Sequence, residues 1–96
     1  MVGGLKTIVV KEGHEREFES LFSRLRMEIR NHEPRCVLYS LLKSRMNPRA
    51  YIVHEQYRDQ GALDAHQTST YGKVMFPKIR SILESITVEY FDGVVS

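Results

Sequence analysis

Four β-type segments and two helical regions follow one another along the chain in an order that few folds can accommodate. The β-type segments are rich in β-branched, aromatic and leucine residues; they are Leu5–Lys11, Cys36–Lys43, Ala50–Tyr57 and Ile86–Phe91. Between the first two, apolar residues recur at helical spacing from Phe18 to Ile29, which is typical of an amphipathic helix. Pro34 ends this helix, because the residue before a proline is disfavoured in helical backbone geometry.

The region between the last two β-type segments is predicted to hold two helices. Asp59 is a suitable N-cap for a short helix that ends at Gln67. A longer helix is predicted from about residue 70 to about Glu84, with a kink or break at Pro77. Its buried positions are predicted to be Met75, Ile79, Ile82 and Leu83.

The resulting order, βαββαβ, predicts an α+β protein with a ferredoxin-like fold, in which helices cover one face of a four-stranded antiparallel sheet. The length of 96 residues fits one domain, so we expect residues 1–96 to form a single domain. Alternation in the second β-type segment places Cys36, Leu38 and Leu42 on one face and Val37, Tyr39 and Leu41 on the other. Both faces are therefore apolar, and the helices can cover only one. Since an exposed apolar face usually marks an interface, we predict a homodimer formed face to face about a two-fold axis.

Composition and motifs exclude several classes of function. The net charge is only +2 and basic residues are interleaved with acidic ones, so we expect no nucleic-acid partner. No segment has the ~20 apolar residues of a membrane span, and the N-terminus lacks a signal-peptide pattern. Cys36 is the only cysteine, which excludes an intrachain disulfide and favours a cytoplasmic location. The four histidines lack metal-ligand spacing and no nucleotide-binding motif is present, so we expect neither a metal nor an organic cofactor.

The third β-type segment changes from apolar to polar halfway along its length. Alternation places Tyr51, Val53, Glu55 and Tyr57 on one face, with His54 on the other. The polar half of the first face would therefore present a carboxylate and a phenol to the helices. His54 would instead lie at the dimer interface.

Two residues of the second helical region are expected to point toward the same carboxylate and phenol. His66 lies three residues after Leu63, on the side that the short helix buries, and Tyr71 lies one turn before Met75. One cavity between sheet and helices would then hold Glu55, Tyr57, His66 and Tyr71. A histidine titrates near neutral pH, a carboxylate can orient it or act as a base, and tyrosine hydroxyls can stabilise a carbonyl or an oxyanion.

A purely structural interpretation stays open at this point. An inward histidine on a helix is often a hydrogen-bonded core residue, so spacing alone does not assign a function to His66. Glu55 would equally suit an exposed sheet edge. His14 and His32, near the ends of the first helix, are expected to be solvated.

Several motifs, taken in order, resemble those of the antibiotic biosynthesis monooxygenase domain family. "NHEPRC" resembles an E-P-G-C motif before the second strand, "HEQY" resembles a Glu-x-aromatic motif at the end of the third, and "DQGALDAH" resembles a D-x-x-A-x-x-x-H motif. The match runs from about Leu5 to Val94 and is most similar to quinol monooxygenase and autoinducer-2-degrading members.

The resemblance implies a dimeric α+β barrel of ferredoxin-like subunits, each with a pocket between helices and sheet. It carries functional roles to Glu55, Tyr57 and His66. The chain departs from the family's motifs at two positions. Arg35 replaces the glycine of E-P-G-C, and Tyr71 replaces the histidine of a T/S-P-H motif, which would be a second histidine in the pocket. The first implies a different turn, and the second argues against a proton relay through two histidines. The absence of tryptophan argues against the haem-degrading branch.

We therefore predict a cofactor-independent monooxygenase acting on a small aromatic quinol or polyketide-like phenol, with His66 or Glu55 as the base. The catalytic candidates are His66, Glu55 and Tyr57, and the substrate-binding candidates are Tyr71, Tyr51 and Met75.

Two other classes of function stay open. One is an isomerase or degrader of a small phosphorylated keto-sugar signal, with its phosphate at the helix start Thr68–Thr70 beside Lys73. The other is a non-catalytic small-molecule-binding dimer, since a fold does not fix a function. An RNA-binding module is excluded, because the third β-type segment lacks the glycine of the basic-Gly-aromatic motif.

Overall fold

The structure, a computed structural model, describes residues 1–95 and has the predicted βαββαβ order. The elements are β1 Val2–Val10, α1 Glu15–His32, β2 Cys36–Lys43, β3 Ala50–Tyr57, α2 Gln60–Gln67, α3 Thr70–Arg80 and β4 Leu83–Asp92. The strands form one antiparallel sheet in the order β2-β3-β1-β4. This arrangement confirms the α+β, ferredoxin-like fold. Within the described residues, no helix is long and apolar enough to cross a membrane.

β1 is longer at its start than predicted. It begins at Val2 rather than Leu5, because Gly3 and Gly4 continue the pairing with both β3 and β4. Glycine weakens a strand interior, which is why the sequence pattern placed the start later. These extra residues bring β1 alongside the polar half of β3.

α3 is shorter than predicted and β4 is longer. α3 ends at Arg80 rather than near Glu84, because Leu83 already pairs with Val10 and so belongs to the sheet. Sheet pairing thus overrides the helical spacing of the apolar residues in this stretch. Pro77 lies inside α3 without breaking it.

The helices pack on one face of the sheet, which we call the inner face. α1 buries the apolar residues expected from its spacing, namely Phe18, Leu21, Phe22, Leu25 and Ile29. Tyr51, Val53, Glu55 and Tyr57 of β3 are all buried on the inner face, which confirms the predicted alternation.

Cys36 lies on the inner face, and its predicted grouping with Leu38 and Leu42 is wrong. The pairing of β2 with β3 shifts between Cys36 and Leu38, so that Cys36 is opposite Tyr57 and Leu38 is opposite Gln56. The irregularity at this point reverses the alternation. Cys36 consequently packs against the buried residues beneath the helices.

The opposite face of the sheet, which we call the outer face, carries apolar side chains and no helix. Its exposed large apolar residues include Leu5, Leu42, Ile52 and Phe91. His54 is half-buried on the same face, where it lies next to Leu5 in the pairing of β1 with β3. The predicted apolar outer face is therefore present.

Candidate functional site

A fully buried carboxylate lies at the polar end of β3. Glu55 has no exposed side-chain surface, and Tyr57 donates a hydrogen bond from its hydroxyl to Glu55 Oε1 over 3.1 Å. Lys6 of β1 places Nζ 3.1 Å from Glu55 Oε2, although the approach is that of an ion pair and not of a hydrogen bond. A buried carboxylate needs such partners, because its desolvation is costly.

Gly4 makes the space that Glu55 occupies. It lies opposite Glu55 in the pairing of β1 with β3, and a Cβ atom there would lie 2.9 Å from Glu55 Cγ and 3.0 Å from two Tyr90 ring carbons. Any side chain at this position would therefore displace the carboxylate. The requirement for glycine here comes from close packing.

His66, on α2, packs against Tyr57, the tyrosine that donates to this carboxylate. It is buried with Ala62 and Leu63, as the helical spacing predicts, and is only 2% exposed. Its ring packs between aromatic rings on three elements, with centroid separations of 5.3 Å to Tyr39, 5.5 Å to Tyr57 and 5.2 Å to Phe76. Within residues 1–95, Nε2 is buried and has no hydrogen-bond partner.

Glu33 holds the other ring nitrogen of His66. Both Glu33 carboxylate oxygens lie 3.1 Å from His66 Nδ1, and the Tyr71 hydroxyl donates to Oε2. Because Pro34 follows, Glu33 leaves the helical conformation, with φ −124° and ψ 74° at the end of α1. The side chain is thereby placed against α2 and α3.

Glu33 connects the buried histidine with the surface. Its side chain is 8% exposed, and it lines a surface cavity of about 520 Å³ together with Glu28, Ser69 and Tyr71. Glu33 and Tyr71 thus connect His66 with this surface cavity.

Burial shifts the pKa values of Glu33 and His66 in opposite directions. Burial, and then the Glu55 charge, raise the pKa of Glu33 to about 7. Burial, and then the Lys6 charge, lower the pKa of His66 to about 4. The pKa of Tyr57 is raised far above its usual value by burial and Glu55. At neutral pH, therefore, His66 is uncharged, Tyr57 keeps its proton, and Glu33 is near its titration midpoint.

An apolar cavity of about 220 Å³ lies next to the cluster, between the sheet and the helices. Its wall includes Lys6, Tyr39 and Phe76 at the polar end, and Ile8 and Ile79 further away. An apolar cavity of about 150 Å³ accepts benzene, so this one has room for one substituted aromatic ring. Nδ1 of His66 faces Glu33, so Nε2, on the other edge of the ring, is turned away from Glu33.

The structure brings together four of the six predicted site residues. Glu55, Tyr57 and His66 form one contact chain, and Tyr71 joins it through Glu33. Tyr51 and Met75 lie apart from it. Tyr51 donates its hydroxyl to Glu19 at the far end of β3, and Met75 is half-buried against the core without lining the apolar cavity.

Four cluster residues were not among the predicted site residues: Lys6, Glu33, Tyr39 and Phe76. The sequence could have identified Glu33 as a site residue, because it is the glutamate of the E-P motif. The sequence could also have identified Lys6, since Lys6 shares a strand face with Ile8 and Val10 and is the charged residue of that face. Tyr39 and Phe76 have aromatic side chains that any core would accept, and nothing in the sequence separates them from the other core aromatics.

The start of α3 is poorly suited to a phosphate. Ser69 caps the helix by accepting a hydrogen bond from the Gly72 amide, and the adjacent surface cavity contains the carboxyl groups of Glu28 and Glu33. Acidic groups repel an anion at this position. Within the described residues, no group of three or more His, Cys, Asp or Glu side chains is arranged to hold a metal ion.

The replacement of the E-P-G-C glycine by Arg35 adds a contact between the turn before β2 and the start of α2. The Arg35 guanidinium donates to Asp59, which in turn accepts a hydrogen bond from the Ala62 amide as the N-cap of α2. The Arg35 carbonyl also accepts from the Arg58 amide over 3.0 Å. The helix that carries His66 is thus tied to the turn that carries Glu33.

Fold and site define a ferredoxin-like α+β protein with a buried acid–base cluster beside an apolar cavity. The model of the antibiotic biosynthesis monooxygenase family matches residues 1–78, which contain every residue of the cluster. The chain therefore belongs to the antibiotic biosynthesis monooxygenase family.

Solved structures agree with this assignment. A proposed antibiotic biosynthesis monooxygenase from Caulobacter crescentus CB15 is 28% identical, with a TM-score of 0.92, over 98% of this chain and 90% of that chain. A conserved protein from Methanosarcina mazei Go1 is 25% identical, with a TM-score of 0.85, over 94% of this chain and 89% of that chain. A proposed antibiotic biosynthesis monooxygenase from Deinococcus radiodurans shares the fold, with a TM-score of 0.89 at 15% identity, over 100% of this chain and 95% of that chain. No curated protein sequence matches this chain significantly.

Proposed function

We propose that this protein is a cofactor-independent monooxygenase that oxidises a small, single-ring quinol or polyketide-like phenol. The observation that carries the proposal is the buried, unpartnered Nε2 of His66. The His66 ring packs against Tyr39 and Phe76, which line an apolar cavity large enough for one aromatic ring. A base in a water-poor cavity can ionise a phenol while protecting the reactive species that follow.

In the proposed reaction the substrate supplies all the electrons. A quinol and O₂ give a hydroxyquinone and water: one oxygen atom replaces a ring hydrogen, the other leaves as water, and the quinol loses four electrons in total. No external reductant is therefore required.

The cluster residues have separate roles in this reaction. His66 Nε2 accepts the phenolic proton, and the electron-rich phenolate then transfers an electron to O₂ before the C–O bond forms. The proton on Nε2 returns to the oxygen that leaves as water. Lys6, whose side chain lines the cavity, holds the phenolate oxygen in this proposal. Glu55 contacts both Lys6 and Tyr57 and keeps their positions.

The alternative of a phosphorylated keto-sugar substrate gains no support from the site. The helix start predicted to receive the phosphate lies beside two carboxyl groups, and the cavity lined by Lys6, Tyr39 and Phe76 is otherwise mainly apolar. A non-catalytic binding function is the alternative that activity measurements decide.

The proposal is tested by oxygen uptake from purified, metal-stripped protein with a panel of single-ring quinols. We expect uptake above autoxidation, and a loss of about 10²–10⁴-fold in His66→Gln, which keeps the side-chain volume but removes the base. The matched control is His14→Gln, a half-buried histidine just before α1 that pairs with Glu17, which should keep full activity. No uptake with any quinol of the panel would overturn the proposal and favour a binding protein.

We also propose that the outer face forms a homodimer, as its exposed apolar residues suggest. Ile52→Lys should shift the protein toward monomer in analytical ultracentrifugation. Val74→Lys, at an exposed apolar position on α3, should not. A wild-type protein that is monomeric at micromolar concentration would contradict this. The single domain and the cytoplasmic location stay predictions.

A further inference from the structure

Only one hydrogen atom can lie between His66 Nδ1 and the Glu33 carboxyl group, because the two Glu33 oxygens share the same nitrogen at 3.1 Å. When Glu33 is ionised, Nδ1 must carry the hydrogen and donate it. When Glu33 is protonated, its hydroxyl donates to Nδ1, and the hydrogen of the neutral ring is then on Nε2. The protonation of one residue therefore decides the tautomer of the other.

We propose that Glu33 is a positioning residue that sets the tautomer of His66, so that Nε2 is a proton acceptor only while Glu33 is ionised. This inference rests on the proposed function, in which His66 Nε2 is the base. It adds a residue that does not touch the substrate but determines whether the base is competent.

The contacts around the pair favour a neutral imidazole ring in both states. His66 is enclosed by aromatic rings, and the nearby Lys6 ammonium disfavours an imidazolium. The proton taken up near neutral pH therefore belongs on Glu33, whose pKa burial and the Glu55 charge raise to about 7. The tautomer change then falls within the physiological range.

Titratable and charged groups face the pair from every neighbouring element. They are Lys6 on β1, Arg26, Glu28, Arg30 and His32 on α1, Cys36 and Tyr39 on β2, Glu55 and Tyr57 on β3, and Tyr71 on α3. The pKa values of Cys36 and Tyr57 are raised by burial, so these two groups keep their protons near pH 7. The carboxyl group of Glu33 is the one in direct contact with the ring nitrogen.

Tyr71 orients the Glu33 carboxyl group toward His66. Its hydroxyl donates to Glu33 Oε2, which fixes the carboxyl group against the histidine. His32 stacks on the Tyr71 ring with a centroid separation of 5.8 Å. Glu33 can therefore exchange its proton at the surface cavity while its orientation toward His66 is kept.

The tautomer is measured directly by ¹⁵N NMR of histidine-labelled protein between pH 5.5 and 8.5. In the wild type we expect the two His66 ring nitrogens to exchange their N–H and bare-nitrogen chemical shifts with a midpoint near pH 7. In Glu33→Gln the tautomer should not change with pH over this range. Glu28→Gln is the matched control, because Glu28 lines the same surface cavity but pairs with His32 instead, and it should behave as the wild type.

The outcome separates this inference from the proposed function. A wild-type His66 that keeps one tautomer throughout, or a tautomer change that persists in Glu33→Gln, overturns the inference, and the wild-type titration decides this even if the variant does not fold. A Glu33-dependent change without oxygen uptake supports the role of Glu33 while the monooxygenase proposal fails. If uptake is present, its rate should rise about tenfold between pH 6 and pH 8, with the ionised fraction of a group of pKa about 7, and Glu33→Gln should lose this dependence.

Discussion

The two ends of the inner face of β3 carry similar residues in different surroundings. At one end Tyr51 is buried, and its hydroxyl donates to Glu19 Oε2 over 2.6 Å. Glu19 is exposed and lies 3.3 Å from Lys43, so water and a cation both stabilise its charge. At the other end Tyr57 donates to Glu55, which is fully buried.

This difference supports the proposal that the end of β3 with Glu55 and Tyr57 is the functional end. Within residues 1–95, the buried side-chain polar atoms without a hydrogen-bond partner are Glu55 Oε2 and His66 Nε2. A buried polar atom without a hydrogen-bond partner costs about 1–3 kcal/mol, against a total stability of about 5–15 kcal/mol for a typical domain. For Glu55 Oε2 the ion pair with Lys6 offsets part of this cost. Polar groups left unsatisfied at that cost are expected at sites that bind or react.

The largest stability effect is expected from Gly4→Ala, which forces a methyl group against Glu55 at the functional end. The Tyr90 ring can move, because it is partly exposed, but the buried carboxylate and its partners cannot. We expect a loss of about 3 kcal/mol, the upper part of the range for overpacking, in urea denaturation.

Gly3→Ala is the matched control for this change. A Cβ atom at Gly3 has its nearest neighbour at 3.8 Å, an ordinary contact, so the change should be neutral or slightly stabilising. Equal losses in the two variants would mean that strand conformation, and not the space for Glu55, requires the glycines.

The second prediction compares the two tyrosines directly. Tyr57→Phe leaves the buried Glu55 without its hydrogen-bond donor and should lower the free energy of unfolding by about 2 kcal/mol, with a loss of oxygen uptake. Tyr51→Phe removes a donor from Glu19, which water can replace, and should cost about 1 kcal/mol or less with activity unchanged. Denaturation and oxygen-uptake measurements on both variants check this; a larger loss in Tyr51→Phe would reverse the assignment of the two ends.

Periodicity predicted the face of each inner residue of β3, although it failed for Cys36 on β2. It did not predict how far apart residues on one face lie. Glu55 and Tyr57 follow from alternation along β3, and His66 follows from the spacing of the buried residues of α2. Tyr51 shares the face with Glu55, yet it lies four positions earlier along the strand, a distance of about 13 Å. Alternation alone predicts Tyr51 and Tyr57 equally as site residues. Only the contacts of their hydroxyl groups distinguish them.

Glu33 could not be placed by periodicity, because it lies where periodicity ends. Pro34 takes it out of α1, and the direction of its side chain depends on how α2 and α3 pack against that end of the helix. Lys6 lies in a strand that the pattern identified, but its partner Glu55 is on a neighbouring strand, so their contact depends on the register between β1 and β3. The places of Glu33 and Lys6 in the site therefore depend on tertiary structure, although the E-P motif contains Glu33.

The smallest expected effect is the pH dependence of wild-type stability that arises from Glu33 and His66, because their contributions oppose each other. The pKa of Glu33 is raised from 4.5 to about 7 on folding, so its contribution is fully present below pH 4.5 and is lost as the pH rises through 7. The pKa of His66 is lowered from 6.5 to about 4, so its contribution is present above pH 6.5 and is lost as the pH falls through 4. Between pH 4.5 and 6.5 the folded state holds an extra proton on Glu33 and the unfolded state one on the histidine, and the two slopes cancel.

Glu33→Gln removes the pH dependence of stability that Glu33 contributes and leaves the opposite contribution of His66. Relative to the wild type, its free energy of unfolding should rise with pH between about 4.5 and 6.5, by at most about 1.4 kcal/mol per pH unit for one proton. Urea denaturation at pH 5, 6 and 7 measures this, with Glu28→Gln expected to follow the wild type at every pH. If Glu33→Gln also follows the wild type, then Glu33 takes up no proton on folding in this pH range, and the inferred coupling between Glu33 and His66 is wrong.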